Sequence, residues 1–153
     1  MSATPRGIPD EPWWLGFDIG GTRLKAGRID AQGHISGSVI VETDHERFER
    51  IWERILDHAR SAIAARGRDS LQGVGVALPG LVEPGFGSHH LPGKVLGIEG
   101  FPLRERLEAE LGVPVRCTND GAAAALAEWR FGAAQGHDDV VTLTLGTGVG
   151  CGV

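Results

Sequence analysis

Apolar positions fall in short runs along the chain, and their period switches between two and three-to-four residues. Trp13-Trp14-Leu15-Gly16-Phe17 reads as a buried strand, Gly20-Gly21 as a turn and Leu24 to Ile29 as a second strand, which together predict a hairpin. Ala31-Gln32-Gly33 makes another turn, and Ile35 to Val41 alternates in a way suited to a third, partly exposed strand. Phe48, Ile51, Trp52, Ile55, Leu56, Ala59 and Ile63 then recur at steps of three and four, so an amphipathic helix follows. Thr43 with Glu46 three residues later has the form of a capping box at its start, and Gly67 after Arg66 that of a C-terminal cap.

The second half alternates more regularly. Leu71 to Leu78 suits a buried strand, closed by Pro79-Gly80 before a loop rich in Gly, His and Pro that runs to Gly100 and is long enough to suspect function. Pro102 at a first turn, a stripe of Leu103, Leu107 and Leu111, and Gly112 after it predict a second helix. A short strand, Val113 to Cys117, leads to Asn119-Asp120, which caps an alanine-rich helix reaching about Phe131 and closed by Gly132. Val140 to Leu145 is the last long strand, and Gly146-Thr147-Gly148 turns it into another. This order of elements is α/β, and the three-strand meander that opens it sets it apart from a purely alternating doubly wound sheet.

Composition narrows the class. A chain of 153 residues is enough for one domain that hides roughly 70% of its unfolded surface. Net charge is -5 with no basic block, which speaks against a nucleic-acid surface. Cys117 and Cys151 lack the spacing of a zinc site or a disulfide framework, so no zinc within this chain and a reducing cytoplasm are expected. No run nears the ~20 apolar residues of a membrane span, and residues 1–12 carry prolines and acids where a signal peptide needs an apolar core, so they are expected to form a disordered leader.

Three places carry chemistry. Asp18-Ile19-Gly20-Gly21-Thr22 sits at the mouth of the first hairpin, where glycine amides and a hydroxyl can converge on an anion and the acid can orient Mg²⁺ through water. An ordinary glycine hairpin with a solvated Asp is the alternative for this segment taken alone. Leu145 to Gly150 repeats the arrangement about 125 residues later, so the two turns, the second with Gly146, Thr147 and Gly148, would clasp a polyphosphate from opposite sides. Between them, Asp120 stands at a helix N-terminus that favours its anion, a position from which it would take a proton from a substrate hydroxyl; capping the helix is the alternative role for Asn119 or Asp120.

Leu15 to Thr22, Gly75-Val76-Ala77-Leu78-Pro79-Gly80, Asn119-Asp120 with the alanine-rich helix and Glu128, and Leu145 to Gly150 together resemble the ROK family of sugar kinases and repressors in order and spacing, over nearly the whole chain. The resemblance implies an actin-like ATPase (ribonuclease H-like) domain with a mixed sheet and helices packed on it. It also implies a glucokinase-like enzyme in which Asp18 to Thr22 and Gly146 to Gly148 face the phosphates of Mg²⁺-ATP, Asp120 deprotonates a hexose hydroxyl, and Asn119 with Pro79-Gly80 helps hold the sugar. His89-His90-Leu91-Pro92-Gly93 stands where family members often have an asparagine, and His90 would donate to a sugar hydroxyl in its place or else be simply solvated. Asn119-Asp120-Gly121-Ala122 replaces the frequent Asn-Asp-Ala-Asn.

Gly20 to Lys25 and Ala127 to Gly132 also resemble polyphosphate-using glucokinases, and Lys25 and Arg23 suit a longer anionic donor unless they are merely solvated strand residues; ATP is the first expectation. Family kinases continue into a larger domain, so residues 13–153 are expected to be the N-terminal phosphate-binding domain with the C-terminal domain absent. The isolated chain is then expected not to turn over, and the complete protein to form a homodimer. A dinucleotide fold is excluded because Cys151 takes the place of the third glycine after Gly146 and Gly148, and a P-loop because Ser88 and Val95 replace its first glycine and its hydroxyl residue. The family's repressors carry a winged helix-turn-helix before the kinase-like domain, which is not expected in the twelve residues before Trp13, so a non-catalytic sugar sensor or transcriptional regulator is kept as the alternative from a different class.

Overall fold

A computed structural model describes residues 11–43, 47–83, 95–145 and 149–153, and of residues 88–90 the backbone. Strand β1 (Trp13–Ile19) is its centre. Trp13, Leu15, Phe17 and Ile19 alternate onto one face and are all but fully buried, each worth about 1.5–3 kcal/mol of burial. β2 (Arg23–Asp30) pairs antiparallel with β1, and β3 (Ile35–Glu42) antiparallel with β2, so the predicted meander forms. β4 (Leu71–Leu78) and β7 (Val115–Asn119) join in parallel on the other side, giving the order β3-β2-β1-β4-β7.

The crossovers are α1 (Phe48–Arg66), between β3 and β4, and α2 (Leu103–Leu111), between β4 and β7. Both press apolar stripes onto the same sheet face, so Phe48, Ile51, Ile55, Leu103 and Leu107 share one core with Leu15, Phe17, Val76 and Val115. The Trp13 indole N–H donates to Ser70 Oγ at 3.0 Å, leaving no buried donor unpaired at the start of β1. Cys117 lies in this core as a free thiol, and burial pushes its pKa up to about 11. On the opposite face lie α3 (Asp120–Phe131) and a hairpin of β8 (Thr142–Leu145) and β9 (Val149–Gly152).

The structure moves several predicted boundaries. Helix α1 starts at Phe48 with Arg47 as an N-cap whose side chain makes no capping hydrogen bond, so Thr43 does not cap it as the capping-box pattern predicted; Glu46 lies outside the described residues. Thr43 is instead buried, its N–H donating to Thr22 O at 2.8 Å and tying the end of β3 to the first glycine turn. Gly67 does close the helix, its N–H bonding Ile63 O at φ 86°. β7 begins two residues later than predicted because Pro114 has no N–H to give a ladder, although its carbonyl accepts from Val74. The loop after Gly80 contains a hairpin of two three-residue strands, β5 (Leu81–Glu83) and β6 (Ser88–His90), too short to show a period. β3 is exposed along nearly its whole length rather than in part.

Candidate active site

Strands β1, β4 and β7 run in parallel, so their C-terminal ends fall on one edge of the sheet, the place where open α/β sheets bind ligands. Register fixes who meets whom: Lys25 lies opposite Asp18, Asp18 opposite Ala77, and Ala77 opposite Thr118. Phe17 and Ile19 turn into the core, so Asp18 between them faces the other way, towards α3. There it lines a cleft of about 720 Å³ together with Lys25, Pro79, Gly80, Asn119 and Asp120. Six residues singled out from the sequence, drawn from β2 and three strand ends, therefore share one cavity.

Asn119 organises the floor. As the N-cap of α3 its Oδ1 accepts from the Gly121 and Ala122 amides at 2.8 and 3.2 Å, while its Nδ2 donates to Gly80 O at 2.8 Å. One amide side chain thus ties the turn after β4 to the helix that carries Asp120. Gly80 takes φ 82°, a conformation that a side chain would strain, which is why this turn needs glycine. With capping done by Asn119, the Asp120 carboxylate is left exposed on the cleft, its Oδ1 accepting from the Gly121 amide at 2.8 Å.

Another wall is the β8–β9 hairpin, whose Leu145 and Val149 line the same cleft on either side of residues 146–148. Gly146, Thr147 and Gly148 themselves lie outside the described residues, as does the side chain of His90, whose backbone pairs with Leu81. The hairpin docks on α3 backbone to backbone. A Cβ on Gly121 would stand 2.7 Å from Cys151 O, and one on Gly152 would collide with Gly121 O and stand 2.9 Å from Ala125 Cβ.

Gly20, Gly21 and Thr22 form the β1–β2 turn beside this cleft but are not among its lining residues. The Gly20 N–H closes the hairpin onto Arg23 O at 2.8 Å, so the amides this turn offers are those of Gly21 and Thr22. Lys25 Nζ donates to Asp18 Oδ2 at 2.9 Å and Arg23 Nε to Glu42 Oε1 at 2.9 Å; both basic side chains are thus engaged in exposed pairs of small worth. Sequence reasoning missed Ala123, Ala124, Thr144 and Cys151 as lining residues. The run of alanines was a signal for the first two, since small side chains leave a helix face open to a ligand.

A family model described as the ROK family matches residues 14–153. The chain belongs to the ROK family. It is 36% identical over 140 residues to a glucokinase of Streptomyces coelicolor, covering 91% of this chain and 42% of that protein. Among solved structures, a ROK family glucokinase from Streptomyces griseus in complex with glucose and AMPPNP superposes with a TM-score of 0.71 at 36% identity, covering 91% of this chain and 43% of that one. An inorganic polyphosphate/ATP-glucomannokinase from an Arthrobacter species gives a TM-score of 0.74 at 31% identity, covering 92% of this chain and 57% of that one. The chain thus spans less than half the length of the curated ROK glucokinase. Its mixed sheet with packed helices is the actin-like α/β fold of these ROK structures. Among the described residues no helix is long and apolar enough to cross a membrane, and no three His, Cys, Asp or Glu side chains gather to hold a metal ion.

Proposed function

We propose that the full-length protein bearing this chain is a glucokinase-like sugar kinase, transferring the γ-phosphoryl group of ATP to a hexose hydroxyl. The observation that carries this reading is the meeting of Asp18, Asp120 and the flanks of the second glycine turn around one cleft. Asp18 and the Gly20-Gly21-Thr22 turn would face the donor phosphates from the sheet, with Lys25 released from Asp18 to them, and Gly146, Thr147 and Gly148 from the hairpin. Asp120 would sit beside the acceptor, with Pro79, Gly80, Asn119 and His90 on the sugar.

In the reaction the sugar oxygen attacks the γ-phosphorus, the bond to the β-phosphate oxygen breaks, ADP leaves, and the hydroxyl proton passes to the Asp120 carboxylate. Phosphoryl transfer asks little covalent chemistry of the protein, so positioning dominates and the base mainly aligns the hydroxyl. The donor set fits Mg²⁺: Asp18 offers a single half-exposed carboxylate with Oδ1 not engaged by Lys25, and Mg²⁺ keeps its waters and leans on one or two carboxylates plus substrate phosphates. Bound there, the ion would neutralise the donor's charge, with Asp18 reaching it through water.

Because the chain matches less than half of its curated relatives' length, we read residues 13–153 as the phosphate-binding domain of a longer cytoplasmic, homodimeric enzyme that is inactive as this domain alone. The test is phosphate transfer by the full-length protein to a panel of hexoses and N-acyl hexosamines, with ATP or polyphosphate as donor and Mg²⁺ present. Transfer from ATP to a hexose, with polyphosphate the poorer donor, is expected. Absence of transfer to every sugar from either donor would leave the non-catalytic sensor standing in its place.

A further inference from the structure

One polar group in the cleft takes no part in the proposed phosphoryl transfer. Thr144 is half-buried and lines the cavity from the hairpin, together with Asp120 at the head of α3. Its hydroxyl has no hydrogen-bond partner among the described residues. In a two-stranded ribbon, alternate residues share a face, and the register pairs Thr142 with Gly152 and Thr144 with Gly150. The Gly152 end of that face is packed against Gly121 and Ala125 of α3. Thr144 lies two residues nearer the turn, about 7 Å further along the strand, where the same face lines the cleft.

Gly150 opposite it completes the observation. A Cβ built on Gly150 would collide with the Thr144 Oγ1 and with no other side chain as closely. The ribbon therefore keeps a glycine across from this threonine, and the space so left is occupied by the hydroxyl. A threonine retained only for strand propensity would need its methyl and branched Cβ, not room around its oxygen. A partly buried hydroxyl free to rotate can donate to an anionic oxygen, and this one lines the same cavity as the Asp120 carboxylate, where the transferred group would pass.

We propose that Thr144 is a further binding residue for the reaction, its Oγ1–H donating to a non-bridging oxygen of the transferred phosphoryl group, with Gly150 holding open the space it needs. This rests on the kinase reading and adds a residue to it. No covalent step is involved: the hydroxyl keeps its proton and its hydrogen bond strengthens as charge develops on the phosphoryl oxygens.

Steady-state kinetics of the full-length protein with ATP, Mg²⁺ and its best hexose, on Thr144→Val, Thr144→Ser, Gly150→Ala and the Thr144→Val/Gly150→Ala double variant, test this. Val keeps the branched shape and removes only the hydroxyl. Expected is a fall in kcat of about 10²-fold for Thr144→Val, the range seen on losing one donor to a developing oxyanion, with both KM values and the melting temperature within about twofold and two degrees of wild type. Thr144→Ser should recover most of kcat, and the double variant should be no slower than Thr144→Val, since Gly150→Ala acts by displacing the same oxygen. The proposal is overturned by a Thr144→Val kcat within twofold of wild type, by a raised sugar KM at unchanged kcat, or by failure of Ser to rescue. If any of these appears while wild type is active and Asp120→Asn is not, the kinase reading stands and the Thr144 role falls. If wild type transfers no phosphate at all, both fall.

Discussion

Replacing Asp120 by Asn in the full-length protein is expected, on the proposed function, to lower kcat for hexose phosphorylation by about 10³-fold, within the range that loss of a general base produces. The substitution is nearly isosteric, and it leaves the helix start intact because Asn119, not Asp120, caps α3 through the Gly121 and Ala122 amides. Asp120 is exposed, so its loss uncovers no core and leaves no buried partner unpaired. The melting temperature and the KM for ATP should therefore remain close to wild type while kcat collapses, a split that separates chemistry from folding. A variant with kcat within threefold of wild type would show that Asp120 neither takes the proton nor aligns the hydroxyl.

The second large effect is expected at a residue that touches no substrate. Gly152 has no side chain because the backbone of α3 occupies that space: a Cβ there meets Gly121 O and approaches Ala125 Cβ to 2.9 Å. Gly152→Val forces the β8–β9 hairpin away from the helix that carries Asp120. Overpacking of this kind costs about 1–3 kcal/mol, and a displacement of about 1 Å between catalytic groups can cost 10²-fold in rate. The expected outcome is a melting temperature lowered by several degrees and a kcat reduced about 10²-fold, with Gly152→Ala between that variant and wild type in both. Thermal melts and initial rates on the three proteins decide it. Val at this position with wild-type melting and rate would mean that the hairpin does not sit against α3 as described.

Much of this was legible in the chain because its signals are local. The alternation of Trp13, Leu15, Phe17 and Ile19 and the stripe from Phe48 to Ile63 are direct imprints of a sheet face and a helix face on one core, and both elements form where the periods place them. Asn119-Asp120 at the head of an alanine-rich run gave the start of α3 for the same reason.

What was not legible depends on partners distant in sequence. Thr43 and Glu46 satisfy a capping-box pattern, yet Thr43 is drawn into the sheet by its bond to Thr22, so a local rule lost to a tertiary one. The tie from Asn119 to the Gly80 carbonyl joins residues 39 apart, and the Gly121–Gly152 contact brings a helix start against the last strand. Neither leaves a periodic trace. The pairing of Lys25 with Asp18 likewise follows from the β1–β2 register, which the hairpin's turn sets and the composition of the strands does not.

The proposed kinase activity requires two glycine-bearing segments and one carboxylate to converge on a single transfer site. It is tested most directly by a crystal structure of the full-length protein with glucose and a non-hydrolysable ATP analogue. The terminal phosphate is expected between the Asp18–Thr22 segment and the β8–β9 hairpin, with an Asp120 oxygen about 3 Å from the sugar hydroxyl in line with it. A sugar bound away from Asp120, or phosphates held on a surface that does not include Asp18, would contradict it.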